Sequence, residues 1–141
     1  MMIHIQVGVK GSSDIAEILN FWANHAENNS RPMDSSDALI GLIARDPAAL
    51  ILAIENDEIV GTVIAGWNGW RCSLYRLAVR EDKRKQGIGK LLVDQATERF
   101  KTFGGTRIDA MILDENETAH KAWASYGFEF QDNWSRWVRN I

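Results

Sequence analysis

A single cysteine, Cys72, stands among 141 residues, so no internal disulfide can form. That fits a reducing compartment. The three histidines, His4, His25 and His120, are scattered, and Cys72 has no Cys or His neighbour at ligand spacing, so no metal site is expected. Positive charge is also in short supply. Lys and Arg number 16 against 19 Asp and Glu, a formal net charge of −3, which gives a nucleic-acid partner no support over the whole chain. No apolar run approaches membrane-spanning length. The first residues lack the charged, apolar and small-residue regions of a secretion signal. Repeats, low-complexity tracts and linkers are missing too. The expectation is one cytoplasmic domain over 1–141, with no membrane and no nucleic-acid partner.

What is present reads as alternating strands and helices. Ile3 to Val9 alternates apolar and polar residues, as a half-buried strand does. Gly11-Ser12-Ser13-Asp14 supplies a turn, an N-cap and a first-turn carboxylate. Ile15, Ile18, Leu19, Trp22, Ala23 and Ala26 then form one helical stripe. Asn28 to Ser36, with Pro32, reads as a loop. Ser35 or Ser36 caps a second helix, with Leu39, Ile40 and Ile43, that stops before Pro47. Two apolar runs flank Asn56-Asp57, and Asn68-Gly69 marks a further hairpin because both residues accept positive φ. Leu50 to Val79 is therefore a three-strand antiparallel meander. The Asn68-Gly69 turn would set Trp67 and Trp70 opposite each other as a cross-strand pair. A helix over Gly87–Phe103 buries Ile88, Leu92, Ala96 and Phe100 and ends at Gly104-Gly105. Arg107 to Leu113 reads as a parallel strand, Asn116 to Tyr126 as a short helix, and Trp134 to Arg139 as a last strand. The fold class is α/β (α+β), a mixed, mostly antiparallel sheet with flanking helices.

The segment Arg84-Lys85-Gln86-Gly87-Ile88-Gly89 follows the strand end Leu77-Ala78-Val79 and opens the Gly87–Phe103 helix. Such a loop offers bare backbone N–H groups at the positive end of a helix, a seat for phosphate or pyrophosphate. Gly87 and Gly89 remove the Cβ atoms that would keep a ligand away. Arg84, Lys85 and Lys90 add positive charge. A P-loop is excluded, because Gly89-Lys90 is followed by Leu91 with no Gly at the required spacing. The dinucleotide fingerprint is excluded because Leu92 stands where its third glycine belongs. An ordinary glycine turn before a helix remains the bland alternative.

The pattern R-x-x-G-x-G resembles the acetyl-coenzyme A loop of the GNAT acetyltransferases. A second segment carries the same resemblance: Asn116, then Ala119, Trp123, and Gly127-Phe128. The likeness spans roughly residues 50–130. Gly66-Trp67-Asn68-Gly69-Trp70-Arg71 and Arg31-Pro32 look more narrowly like small RimI-like members. The resemblance implies acetyl-coenzyme A or coenzyme A as cosubstrate, no metal, and a small-molecule or peptide amine as acceptor. A homodimer stays open. It implies that the amides of Lys85, Gln86, Gly87, Ile88, Gly89 and Lys90 hold the pyrophosphate. The edge of Leu77, Ala78 and Val79 would bond the pantetheine, with Leu77 N–H as the oxyanion donor. Asn116, Ala119 and Trp123, on one helical face, would meet the cofactor, although Asn116 also reads as an N-cap.

Two departures weaken the catalytic part. Trp123 stands where the family usually has the Tyr that protonates the leaving thiolate, and an indole N–H is too weak an acid to do so. Ser73 and Met111 stand at positions where relatives carry a base. Tyr75, on the Ser73 face, is the best polar candidate, yet a phenol is a poor base near neutral pH. Asp109 is weaker still. A water chain or an amine arriving neutral is favoured. Among the six tryptophans, Trp22, Trp67, Trp70 and Trp134 lie on elements that could surround the acceptor mouth, though packing alone explains them as well. The readings in competition are an amine N-acetyltransferase acting by direct transfer, a catalytically impaired acyl-coenzyme A-binding domain, and an interaction domain on the same fold.

Overall fold

A computed structural model describes residues 2–141. They fall into two compact units, Met1–Met111 and Ile112–Ile141. The first holds a five-stranded sheet of β1 (Ile3–Val7), β2 (Leu50–Glu55), β3 (Glu58–Trp67), β4 (Cys72–Val79) and β5 (Ile108–Ala110), in that spatial order. The first three pairings are antiparallel and β4–β5 is parallel. Helices α1 (Ser13–His25), α2 (Ser36–Arg45) and α3 (Ile88–Thr102) complete this unit, and α4 (Glu117–Ser125) belongs to the second. The mixed, mostly antiparallel sheet with flanking helices is the expected fold class.

Local chemistry accounts for these elements. The β2–β3 turn needs two residues at positive φ, and Asn56 (52°) and Asp57 (62°) are types that tolerate it. Ser35 Oγ accepts from Ala38 N–H at 3.1 Å and starts α2. Gly104, at φ 79°, stops the chain just past α3. Neighbouring residues on β3 face opposite sides of the sheet. Thr62 accepts the Trp22 indole N–H of α1 at 2.8 Å. Gly61 faces α3, where a Cβ would lie 2.9 Å from Leu92 Cδ1 and 3.0 Å from Ile88 Cγ2. Helices therefore cover both faces, and β2 is buried along its whole length. Ile18, Phe21, Trp22, Leu39, Leu50 and Leu52 form the core on the α1 side.

Four expectations are corrected. The first strand stops at Val7, because Gly8 turns the chain at φ 79°. The Asn68-Gly69 hairpin is a wider loop: Trp67 pairs with Cys72, and Asn68 Oδ1 accepts from Trp70 N–H at 2.8 Å and Arg71 N–H at 2.7 Å. The Asn side chain closes the turn, so Trp67 and Trp70 are not a cross-strand pair. The strand expected over Arg107–Leu113 is only Ile108–Ala110. No strand forms over Trp134–Arg139; Trp134, Trp137 and Val138 are exposed, and their spacing lacks the period of two that gives a strand one face to bury.

The turn after α3 leaves no room at Gly105, where a Cβ would lie 2.4 Å from Cys72 Sγ and 3.1 Å from Phe100 O. Gly105→Ala is expected to cost about 1–3 kcal/mol by overpacking. Denaturant unfolding of Gly105→Ala, Cys72→Ala and the double variant checks this. The double variant should lose less than the sum of the two single losses. Strict additivity would show that the sulfur is not what Gly105 avoids.

Candidate active site

A bulge in β4 organises the centre of the sheet. Thr62 pairs with Ala78 and Ile64 with Tyr75, so Arg76 and Leu77 together oppose Val63. Arg76 sits at φ 53°, a conformation that costs an L-residue about 1–2 kcal/mol. Two sets of bonds hold it there. Its C=O accepts from Thr62 Oγ1 at 2.8 Å, and that oxygen in turn accepts from Trp22. Its guanidinium is buried, ion-paired with Asp34, and donates to Glu27 O at 2.6 Å and Asn28 Oδ1 at 3.0 Å.

The peptide between Arg76 and Leu77 is trans, so its C=O and N–H point in opposite directions. With the Arg76 carbonyl aimed at the Thr62 hydroxyl, the Leu77 N–H is directed away from that side chain. On the edge of β4 away from β3, β5 pairs only with Cys72, Ser73 and Leu74. No described strand pairs with Tyr75–Val79 there. The two strands part where the bulge turns an amide outward.

The sequence analysis singled out Leu77; Arg76 and Thr62, which shape the strand around it, went unnoticed. The available signal was an arginine inside the apolar strand Leu74-Tyr75-Arg76-Leu77-Ala78-Val79. Trp22, considered for the acceptor mouth, is a core residue at 3% exposure.

After β4 a short 3-10 turn, Glu81–Lys83, leads into the glycine loop. Arg80 bridges Glu58 at 2.9 Å and Asp82 at 2.7 Å. The hydrogen bond from Arg80 holds the Asp82 carboxyl below its ordinary range, and the same bond raises Arg80. Lys83 reaches Glu55 at 2.8 Å, and Glu55 is buried at the end of β2. The turn is thereby tied to the sheet. Lys85 (φ 63°) and Gly87 (φ 85°) both adopt left-handed backbone, and a Cβ on Gly87 would meet nothing within 4 Å. No side chain caps α3; its first intrahelical bond runs from Leu91 N–H to Gly87 O at 3.0 Å. The N–H groups of Ile88, Gly89 and Lys90 are left without helical acceptors, the arrangement that suits an anion.

The charge expected beside this loop is partly spent internally. Arg84 donates to Val79 O at 3.1 Å and His25 O at 3.3 Å. Lys90 pairs with Asp94 at 2.7 Å. Lys85 is exposed and keeps its ammonium in solvent. Gln86 Nε2 reaches Asp82 O at 3.5 Å.

A cavity of about 190 Å³ opens at the other end of β4. Leu42, Arg45 and Asp46 at the end of α2 line it with Gly66, Trp67, Asn68, Arg71, Ser73 and Tyr75. Gly66 lets the Tyr75 ring lie against β3, since a Cβ there would be 3.2 Å from Cε2. Trp67 stacks on Phe103 at 5.5 Å. Cys72 is buried, and burial followed by the charge of Asp109 pushes its thiol up, away from the reactive thiolate. Asp109 lies 3.6 Å from Arg107 and Met111 is exposed.

The second unit accounts for the Asn116–Phe128 signature by itself. Asn116 Oδ1 accepts from Ala119 N–H at 3.1 Å and caps α4. Gly127, at φ 93°, ends the helix: Phe128 N–H donates to Trp123 O and Gly127 N–H to Ala124 O, both at 3.1 Å. The Phe128 ring meets the Trp123 ring edge-on at 4.8 Å. That is a Schellman stop with its apolar contact. Asn116, Ala119 and Trp123 share a half-buried helical face. Trp134 is 75% exposed. Among the described residues no group of His, Cys, Asp or Glu is placed to hold a metal, and no helix is long and apolar enough to cross a membrane.

Comparison with known proteins places the chain in a family. Residues 15–128 match the Acetyltransferase (GNAT) family, most of the chain, and the protein belongs to that family. It is therefore an acyltransferase by class. An acetyltransferase of Yersinia pseudotuberculosis is 23% identical over 128 residues, covering 91% of this chain and 90% of the relative. One from Pectobacterium atrosepticum is 31% identical over 87 residues, 62% of each chain. Among solved structures, Ard1 from Thermoplasma volcanium superposes with a TM-score of 0.77 at 15% identity, covering 93% of this chain and 85% of Ard1. AAC(6′)-Iy, solved in complex with the bisubstrate analogue CoA-S-monomethyl-acetylneamine, gives a TM-score of 0.76 at 16% identity with full coverage of both chains. At such identities these superpositions bear on the fold alone.

Proposed function

We propose that the protein transfers an acetyl group from acetyl-coenzyme A to a primary amine of a small molecule or peptide, by direct attack. The observation that carries this is the outward Leu77 N–H at the β4 bulge, on the same strand that leads into the uncapped Gly87 loop. Acetyl-coenzyme A supplies a thioester whose carbonyl carbon accepts the amine. The new C–N bond forms as the C–S bond breaks, the amine loses a proton and the thiolate leaves. The amides of Lys85, Gln86, Gly87, Ile88, Gly89 and Lys90 hold the pyrophosphate. Leu77 N–H stabilises the charge that grows on the carbonyl oxygen, a role typically worth roughly 3–4 kcal/mol. The Leu77–Ala78–Val79 edge aligns the pantetheine, with Arg84 covering the Val79 carbonyl. Asn116, Ala119 and Trp123 present a face for the cofactor while also building their own helix.

No acid or base of ordinary strength is assigned. Tyr75 lines the cavity and orients the amine or its water. The family match crosses both compact units, which supports one acetyltransferase domain over 1–141. The loop at Gly66–Arg71 and Arg31-Pro32 suggest a small RimI-like member. We place the protein in the cytoplasm, as a monomer or a homodimer, acting on neither nucleic acid nor membrane.

The test is calorimetry with acetyl-coenzyme A, followed by thiol release on a panel of polyamines, amino acids, aminoglycosides and peptide N-termini. Micromolar or tighter binding and turnover of at least one amine are expected. The rate should rise with pH until the attacking amine is deprotonated. Cys72→Ala should keep wild-type turnover, because its thiol is buried and protonated; loss with the fold intact would point to an acyl-cysteine route. Binding without turnover across the panel would favour the impaired acyl-coenzyme A-binding domain.

The missing Tyr carries a prediction of its own. Trp123 is held by Phe128 as part of a helix stop, so Trp123→Phe is expected to slow turnover less than about tenfold, or roughly 1.4 kcal/mol. Trp123→Tyr is expected to match or exceed the wild type. A loss above about a hundredfold in the Phe variant, with an unchanged circular dichroism spectrum, would mean that the indole takes part in the chemistry.

A further inference from the structure

We infer that the amine acceptor carries a carboxylate and that Arg45 and Arg71 seat it. This rests on the acetyltransferase reading and adds the chemical class of its acceptor. The charged groups lining the 190 Å³ cavity are Arg45, Asp46 and Arg71. Asp46 is already matched: Arg99 ion-pairs with it at 2.5 Å and also donates to Ala65 O at 3.2 Å. Neither lining arginine has an acidic partner among the described residues. Arg45 is exposed at the C-terminal end of α2. Its favourable interaction with that helix end leaves its N–H donors available. Arg71 lies flat on Trp70, its guanidinium carbon 4.2 Å from the ring centroid. Stacking restrains the plane of the guanidinium without using its edge.

Two unmatched guanidiniums on one concavity form a site for an anion. Their planar forks fit a carboxylate in bidentate fashion. The same cavity is lined by Ser73 and Tyr75 of β4. A carboxylate held by the arginines therefore brings the rest of its molecule against the strand that carries Leu77. The surplus positive charge works against polycationic acceptors, so polyamines and aminoglycosides should be poor substrates.

Matched acceptors differing only in the anionic group test this. An α-amino acid is compared with its amide, and a dipeptide with an acidic second residue is compared with its neutral amide counterpart. The two arms separate an α-carboxylate from a side-chain carboxylate. In the thiol-release assay the acid member of at least one pair should be used at least about tenfold better in kcat/KM. Arg45→Ala/Arg71→Ala should raise KM for that acid about tenfold or more and erase the preference, with KM for acetyl-coenzyme A within about twofold. Equal use of acid and amide by the wild type in both arms overturns the inference. So does a preference that survives in the double variant.

A second readout needs no turnover. Trp67 lines the cavity and Trp70 touches Arg71, so the acids should change tryptophan fluorescence in the wild type and not in the double variant. Identical titrations of the two proteins overturn the seat. Absence of acetyl-coenzyme A binding by calorimetry would sink the acetyltransferase reading instead, and the fluorescence titration would still decide the arginine seat.

Discussion

Gly87→Glu is expected to weaken acetyl-coenzyme A binding by more than a hundredfold, or about 2.7 kcal/mol. Three effects add. The loop needs φ 85° at this position, which costs a non-glycine residue about 1–2 kcal/mol. The side chain would project into open space, with nothing within 4 Å of its Cβ, beside the loop proposed to seat the pyrophosphate. Its carboxylate would repel a pyrophosphate there. Because that space is open, the variant should still fold, and loss of binding can be separated from loss of structure. Gly87→Asn is the control: Asn tolerates positive φ and adds no charge, so its affinity should stay within about tenfold of wild type. Calorimetry that finds Gly87→Glu binding as tightly as wild type would remove the loop from the site.

Arg76→Ala should produce the largest loss of stability, about 3–5 kcal/mol. Arg76 is 8% exposed and is the shared partner of Asp34, Asn28 and Glu27. Removing it leaves a partly buried carboxylate without its cation and a carbonyl without its donor. The bulge would also lose the side chain that holds it, so turnover should fall along with stability. Arg76→Lys keeps the charge but not the fork and should be intermediate. Thr62 separates the two roles. Thr62→Val strands the Trp22 N–H and the Arg76 C=O, a loss of about 1–3 kcal/mol for each group left unpaired. Thr62→Ser keeps the hydroxyl and should lose much less. Denaturant unfolding gives the stabilities, and thiol release on folded protein gives the activity. An Arg76→Ala loss below about 1 kcal/mol would mean that the bulge is held without the guanidinium, by the Thr62 hydroxyl and the backbone.

The glycine loop was legible in the sequence because its requirements are local. Positive φ at Gly87, a helix starting at Ile88 and a stop at Gly104 each follow from residue type and nearest neighbours. The Asn116–Phe128 signature was legible for the same reason: its structure is a helix capped by Asn116 at one end and stopped by Trp123, Gly127 and Phe128 at the other. Trp123 is part of that stop, so its departure from the usual Tyr leaves the helix intact. The meander of β2, β3 and β4 was readable from apolar runs between turn residues.

Sequence by itself determined most of the order of elements, the place of the glycine loop and the family, since periodicity, capping and turn chemistry act over a few residues. It misjudged what depends on distant partners. Trp134–Arg139 has strand-like residues but no ladder. One local contact was missed as well: the Asn68 side chain closes a wider turn, so Trp67 and Trp70 do not pair across it. Tertiary structure alone decided that Arg76 is a buried clamp, because its partners Asp34 and Glu27 lie 42 and 49 residues away in the chain. It alone turned Leu77 N–H outward through a carbonyl bonded to Thr62, and it brought Arg45 of α2 and Arg71 of the β3–β4 loop to one cavity. Long-range hydrogen bonds and charge pairs leave no periodic trace in a sequence, and at this site they set the direction of the amide and the charge of the cavity.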